Sequence, residues 1–352
     1  LEFNERKLKI LRTIIEDYIS TAMPVGSRTI ARHFGMQLSS ATIRNEMSDL
    51  EEMGYLEQPH ASAGRIPSDK AYRFYVDNLM NMTMLSPEEI SYIRSYYHER
   101  MGETEKVLSA AAKVISELTN YVSVVMSPKL CDVKVNCIQL VPINDRTALV
   151  VLVTDSGIIK DTPIQLPNVM TQDQLYDISK LMNKMFAGRR VDELNLCAQA
   201  QINGEMREQV ELFHLVTNLI ESQVANDQDD FLIGGASNFL SYHGATDIDQ
   251  ARGFLQMLEA KDVLSELFQG GTDMEIRVKI GSESGIGKLH DYSVVTATYT
   301  LGGKTVGKIG VIGPTRMKYS KVISVLDYMG KSLSEILSEM NGIDPNKHKG
   351  GK

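Results

Sequence analysis

The chain has 352 residues, 43% of them hydrophobic, and a formal net charge of −8, which allows two or three globular domains and argues against indiscriminate polyanion binding. No apolar run reaches the length of a membrane span, and the N-terminal NERKLKILRTIIEDYIS reads as an amphipathic helix, not a signal peptide. A cytoplasmic protein with no membrane association is expected.

Residues 4–22 form the first expected helix, with Leu8, Leu11, Ile15, Tyr18 and Ile19 on one stripe and Pro24 with Gly26 marking its end. The stretch 24–73 then reads as a helix-turn-helix followed by a wing. Ser27 is the expected N-cap of a short helix over residues 28–34, and Gly35 ends it. Ala31, four residues before that glycine, is small where the two helices must touch. Ser39 or Ser40 caps a second helix that runs to Gly54, with Ile43, Met47 and Leu50 as its buried stripe.

The opposite ridge of that helix is Ala41, Asn45 and Ser48, flanked by Thr42 and Arg44. This chemistry suits a major groove: a small residue permits close approach, asparagine can pair with adenine, and arginine with guanine. Asp49, Glu51 and Glu52 sit in the C-terminal half, where phosphates repel them, so the helix should enter by its N-terminal end. Ser27, Arg28 and Thr29, at the start of the first helix, join the candidate DNA contacts. Residues 55–58 and 65–67 read as short strands around the loop PHASAG, whose His60, Ser62 and Arg65 suit the DNA backbone or minor groove. Ser68 caps another helix, ending near Met82, with Tyr72, Tyr75, Val76 and Leu79 toward the core.

Residues 1–85 carry ten Lys and Arg against eleven Asp and Glu, a net of −1. DNA binding therefore requires Arg28, Arg32, Arg44, Arg65, Lys70 and Arg73 to gather on one face while the acids point away. The plainer alternative is a small helical domain that uses its helix pair for protein contacts.

Ser86 to Glu89 combines a capping box with proline at the first helical position, and a new domain is expected there. Residues 121–126, 133–143, 147–154 and 158–166 are rich in Val and Ile and are separated by turn clusters, so they read as consecutive antiparallel strands. Helical patterns follow near residues 171–186 and 204–225, then a short apolar FLIGG and another helix. Strand character returns at residues 274–280, 292–301 and 305–312, with Gly302-Gly303 as a two-residue turn. A last helix covers about residues 319–340. Strands on either side of a mainly helical block suggest one sheet domain split by an insertion.

No chemistry-bearing constellation is identified. Residues 281–288 imitate a phosphate loop but are one residue too long, and Leu289 replaces the magnesium-binding hydroxyl. Glycines 307, 310 and 313 fall inside a strand and allow a bulge or close packing. The seven histidines show no short metal-ligand spacing, and Cys131, Cys137 and Cys197 are too scattered for a zinc site or a disulfide framework. No catalytic residue, metal or cofactor is expected, and the chain is not read as an enzyme.

The segment LSSATIRNEMSDLEEMGYLEQPHASAGRIPSDKAYRFYV resembles the winged-helix signature of the HrcA family of heat-inducible transcription repressors. The resemblance continues through VVLVTDSGIIKD, FLIGGASNFL, YSVVTATY and VGKIGVIGPTRMKYSKVISVLDYM, covering nearly the full chain. It implies an α+β multidomain subunit with an N-terminal winged helix-turn-helix, a GAF-like antiparallel-sheet domain and an inserted, mainly helical dimerisation domain. The expected boundaries are 1–85 for DNA binding, 86–200 and 269–343 for the two parts of the GAF-like domain, 201–268 for the insertion and 344–352 for a disordered tail.

The resemblance further implies a homodimer on double-stranded DNA, at the inverted-repeat CIRCE operator of chaperone operons, and a chaperonin partner needed to reach the active form. Its groove-facing set maps to Ser39, Ser40, Ala41, Thr42, Arg44 and Asn45, and its wing set to His60, Ala61, Ser62, Gly64 and Arg65. Ala61 departs from the hydroxyl residue expected there. Two competing readings are a winged-helix regulator that senses a small effector through the GAF-like domain, and an enzyme with a regulatory appendage.

Overall fold

The structure, a computed structural model, describes residues 3–35, 38–60, 63–98, 104–128, 134–155, 159–194, 207–225, 230–243, 248–269, 276–286, 290–301 and 304–340. Helix α1 (Glu5–Thr21) begins at Asn4, whose side chain accepts the Lys7 N–H at 2.8 Å, and ends as Ala22 turns left-handed at φ 56°. Its buried face is Ile10, Leu11, Ile14 and Ile15, joined by Lys7. Leu8, placed on the stripe by the sequence pattern, is only half-buried.

Helix α2 (Ser27–His33) is capped by Gly26 and not by Ser27, which is the first helical residue and makes no side-chain cap bond. Gly26 is extended, with φ −94° and ψ 154°, and glycine at a cap is nearly as good as serine, so the start moves by one residue at little cost. Helix α3 (Ser40–Glu52) is capped by Ser39, which accepts the Thr42 N–H at 3.1 Å. Gly54 follows with φ 75°, as a helix C′ glycine should.

Strands β1 (Leu56–Glu57) and β2 (Ile66–Pro67) pair antiparallel, and a bridge between Val25 and Arg65, with reciprocal 2.9 Å bonds, ties the hairpin back to the start of α2. Gly64 has to be glycine there, because a Cβ would strike the Val25 carbonyl. Helix α4 (Asp69–Phe74), capped by Ser68, continues as a π turn (Tyr75–Leu79), and the chain is extended from Met80, short of the expected end near Met82.

An extended strap leads to α5 (Pro87–His98), where Ser86 and Glu89 exchange the reciprocal capping bonds expected of them, at 3.0 and 3.3 Å. Helix α6 (Thr104–Thr119) precedes β3 (Val122–Met126), and β4 (Val135–Asn144), β5 (Thr147–Thr154) and β6 (Ile159–Gln165) follow. Helices α7 (Gln172–Phe186) and α8 (Arg207–Ala225) come next. Then come β7 (Phe231–Gly234), a short helical turn (Leu240–His243), α9 (Ile248–Glu259), α10 (Lys261–Phe268), β8 (Arg277–Ile280), β9 (Tyr292–Leu301), β10 (Lys304–Pro314) and α11 (Tyr319–Met340).

These strands form two larger sheets, not one run of neighbours. The five-stranded antiparallel sheet has the order β7-β3-β10-β9-β8, and β4-β5-β6 form a separate antiparallel meander. The expectation of consecutive pairing through residues 121–166 is corrected here: β3 pairs with β7 and β10 and not with β4. Residues 135–220 hold a core of their own, in which Ile138, Val150 and Leu152 meet Ile178, Met182, Phe186 and Val216. Residues 231–268, expected inside the insertion, belong with the five-stranded sheet: β7 is one of its edges, and Phe254, Leu258 and Phe268 cover one face with Val124 and Val294. Alternation identifies a strand but carries no information about its partner, which is why the partners of β3 were not legible in the sequence.

The other face of the five-stranded sheet packs on α6 and α11 and is continuous with the buried face of the N-terminal unit. Ile10, Ile43 and Tyr72 share one core with Tyr319, Val295 and Val311. In β10 a bulge separates Thr305 from Gly307, and a Cβ at 307 would strike the Tyr299 ring, whose hydroxyl donates to the Met126 carbonyl at 2.7 Å. The predicted Gly302-Gly303 turn lies outside the described residues, as do Gly287, Lys288 and Leu289 of the imitation phosphate loop and residues 344–352.

Candidate nucleic-acid interface

Helix α3 has the two sides its sequence requires. Ile43, Met47 and Leu50 are buried against α1 and α2, while Ala41, Arg44, Asn45 and Ser48 are exposed. Its N-terminus carries a hydroxyl pair, Ser39 Oγ and Thr42 Oγ1 at 2.9 Å, with Ser40 half-buried beside them. A helix N-terminus with hydroxyls at its mouth favours an anion. On α2, Arg28 and Thr29 are exposed and Ser27 is half-buried. Arg28 and Arg32 are four residues apart and so share one ridge.

The six cations expected to gather on one face divide into two groups. Arg28, Arg32 and Arg44 are exposed, and no ion pair among the described residues engages them. The other three are already occupied. Arg65, expected as a contact to the DNA backbone or minor groove, instead turns toward α3: its Nε and Nη2 reach Glu51 Oε2 at 2.9 and 2.7 Å. The bridge to Val25 fixes the Arg65 backbone beside α3, which puts its guanidinium within reach of that carboxylate. Lys70 donates to the Met53 carbonyl at 2.8 Å at the end of α3 and lies 4.4 Å from the centre of the Tyr55 ring.

Arg73 is taken up by the five-stranded sheet and the turn after β8. It binds Glu283 through Nε at 2.9 Å and again through Nη2, and Nη2 also donates to the Val278 carbonyl at 2.6 Å. The Glu283 bond holds the Arg73 guanidinium above its ordinary range. Burial pushes the Glu283 carboxyl up, but hydrogen bonds from Arg73 and the Ile280 N–H outweigh it and leave that carboxyl below the usual range. Beside this pair, Asp69 accepts from both the N–H and the hydroxyl of Ser282 at 3.0 Å.

His60 is exposed near the tip of the β1–β2 hairpin, while Ala61 and Ser62 lie outside the described residues. Among the described residues no group of His, Cys, Asp and Glu could hold a metal ion, and no helix is long and apolar enough to cross a membrane. One charged residue passed unnoticed in the sequence. Lys7 is 6% exposed and lies against α3. The signal that could have found it is its spacing of three and four residues before Ile10 and Leu11, on the apolar stripe itself.

The HrcA protein C-terminal domain family matches residues 105–323. A heat-inducible transcription repressor HrcA of Pelotomaculum thermopropionicum is 39% identical over 97% of this chain and 98% of its own length. One from Clostridium tetani is 42% identical over 97% of each. The chain belongs to the HrcA family. A crystal structure described only as that of a hypothetical protein is 27% identical, covers 96% of this chain and 100% of its own, and superimposes with a TM-score of 0.64. The HrcA match at residues 105–323 begins after the N-terminal unit and does not reach the α3 ridge described above.

Proposed function

We propose that this HrcA-family chain is a negative regulator of heat-shock transcription that binds the inverted-repeat CIRCE operator of chaperone operons as a homodimer. In this reading residues 1–85 are a winged helix whose α3 enters the major groove, with Ser39, Ser40, Ala41, Thr42, Arg44 and Asn45 toward the bases and phosphates. Arg28 and Thr29 of α2, with Ser27 beside them, and His60 near the hairpin tip complete the contact, with Ser62 as a further candidate outside the described residues. The observation that carries the reading is the exposed ridge Ala41, Arg44, Asn45 and Ser48 on a helix whose other side is fully packed.

The three uncommitted arginines on α2 and α3 are few for one operator, which favours a two-fold arrangement on a symmetric operator. The outer face of the β4-β5-β6 meander supplies a surface for a second copy. Val141, Leu149 and Pro163 form one row across it, and Cys137, Val153 and Ile159 another, with Val141 and Ile159 42% and 64% exposed. The five-stranded sheet with helices on both faces corresponds to the GAF-like domain. Activity is set by chaperonin-dependent folding and not by an effector.

The test is binding of the purified chain to a CIRCE duplex and to a scrambled duplex of equal length, with and without chaperonin. Operator preference that grows with chaperonin is the expected result. Preference indifferent to chaperonin removes the folding switch, and a saturable shift caused by a small molecule alone moves the reading to an effector sensor. Equal binding to both duplexes by folded protein overturns the operator assignment.

A further inference from the structure

Helix α3 is poorly charged for its proposed task. Its single cation, Arg44, stands against Glu46, Asp49, Glu51 and Glu52, a net of −3 on a helix that is to lie between two phosphate strands. Within a Debye length of about 8 Å such carboxylates repel DNA even when they touch nothing. Three of the four, however, are matched from outside the helix. Arg65 of the hairpin takes Glu51, as described. Lys7 of α1 takes the other two: its ammonium is 2.8 Å from Asp49 Oδ2 and 3.7 Å from Glu46 Oε2, and Arg6 Nη1 reaches Glu46 Oε1 at 3.5 Å.

Lys7 differs from these arginines in its surroundings. Among the described residues it is the only charged side chain that is buried. It sits in the first turn of α1, where Asn4 accepts its N–H at 2.8 Å and so fixes the backbone from which the side chain departs. The hydrogen bond to Asp49 lifts the Lys7 ammonium above its ordinary range, against the effect of burial, so the group stays charged. Glu46 and Asp49 are three apart and flank Met47 and Leu50, the residues that pack α3 inward. One ammonium between two carboxylates on that flank compensates both charges from the side of α3 that is turned inward.

We propose that Lys7 is the charge-compensating residue of the DNA-reading helix. It neutralises Glu46 and Asp49 from behind, so that the ridge of Ala41, Asn45 and Ser48 meets DNA without their repulsion. This rests on the reading of α3 as the helix that enters DNA. Lys7 itself touches neither base nor phosphate in this account.

The experiment compares wild type, Lys7→Met, Lys7→Arg and the triple variant Lys7→Met/Glu46→Gln/Asp49→Asn in full-length protein. Thermal unfolding is followed for each, together with binding to a CIRCE duplex and a scrambled duplex across a salt series. Lys7→Met should weaken binding to both duplexes by about tenfold at low salt and flatten the salt slope by about one. Lys7→Arg should stay near wild type. The triple variant, which removes the lysine and the charges it neutralises together, should recover most of the affinity and remains informative if Lys7→Met unfolds.

A Lys7→Met protein that melts earlier but binds with wild-type affinity and slope when folded would make the residue merely structural and overturn the proposal. So would a folded triple variant that stays as weak as Lys7→Met. Wild type that binds both duplexes alike discards the operator assignment only, since the slopes still decide Lys7. Wild type that binds neither duplex removes the DNA reading and the proposal together.

Discussion

The two faces of the N-terminal unit use their cations in opposite ways. On the side toward the sheet, Arg73 is spent on Glu283, Asp77 and the Val278 carbonyl, with Asp69 bound to Ser282 alongside it. On α2 and α3, Arg28, Arg32 and Arg44 are exposed and uncommitted among the described residues. A net charge count treats all of these alike, which is why −1 for residues 1–85 was a poor guide. What decides whether a cation can meet an anionic partner is whether the fold has already given it one.

That difference can be read directly in a salt titration, where the largest effect is expected. If only Arg28, Arg32 and Arg44 of each subunit meet phosphates, a dimer has six such contacts, and the slope of log affinity against log salt should be about −5. Affinity for the operator then falls about a thousandfold between about 50 and 200 mM salt. A slope near −11 would mean that Arg65, Lys70 and Arg73 also leave their internal partners for DNA, and the contrast between the faces would disappear.

Substitutions should separate the faces by readout. Gly281 has φ 50°, and a Cβ there would collide with the Asp69 carboxylate. Gly281→Ala should destabilise the protein by about 3 kcal/mol in thermal or urea unfolding, through left-handed strain and loss of the Asp69 contact. The folded remainder should keep its base preference. Asn45→Ala should do the reverse. Unfolding is unchanged, since the side chain is exposed, while discrimination at one base pair of the operator drops by about 2 kcal/mol. Equal weakening on operator and scrambled DNA by Asn45→Ala would remove that residue from base reading.

The local features of this molecule were legible because local rules decide them. The stripe Ile43, Met47, Leu50 needs only a period of 3.6, the caps at Ser39 and Ser86 need only a hydroxyl at the right offset, and Gly54 needs only a positive φ. The ridge of Ala41, Arg44, Asn45 and Ser48 follows from the same period. What escaped was decided between distant residues. Ser123 pairs with Gly234 across the sheet, and Arg73 with Glu283 across the junction between units; no pattern within a dozen residues encodes either. Lys7 escaped for a mixed reason: its position on the apolar stripe was visible, but its partners Glu46 and Asp49 lie on another helix.

The smallest effect tests the junction at its least satisfied point. Tyr72 is 2% exposed, its ring centre lies 6.0 Å from that of Tyr319, and its hydroxyl has no hydrogen-bond partner among the described residues. Tyr319 is the internal control. Its hydroxyl donates to the Thr315 carbonyl at 2.6 Å and lies 2.7 Å from the Ser293 hydroxyl. Removing an unpaired buried hydroxyl relieves a desolvation cost, while removing a paired one leaves its partners orphaned. Tyr72→Phe should therefore raise stability by about 1 kcal/mol, and Tyr319→Phe should lower it by at least as much, both measured by urea unfolding. A loss from Tyr72→Phe equal to that from Tyr319→Phe would mean that the Tyr72 hydroxyl is satisfied in solution. The sheet-facing side would then adopt an arrangement other than the one seen here, and the sharp contrast between its committed residues and the open ridge of α3 would have to be redrawn.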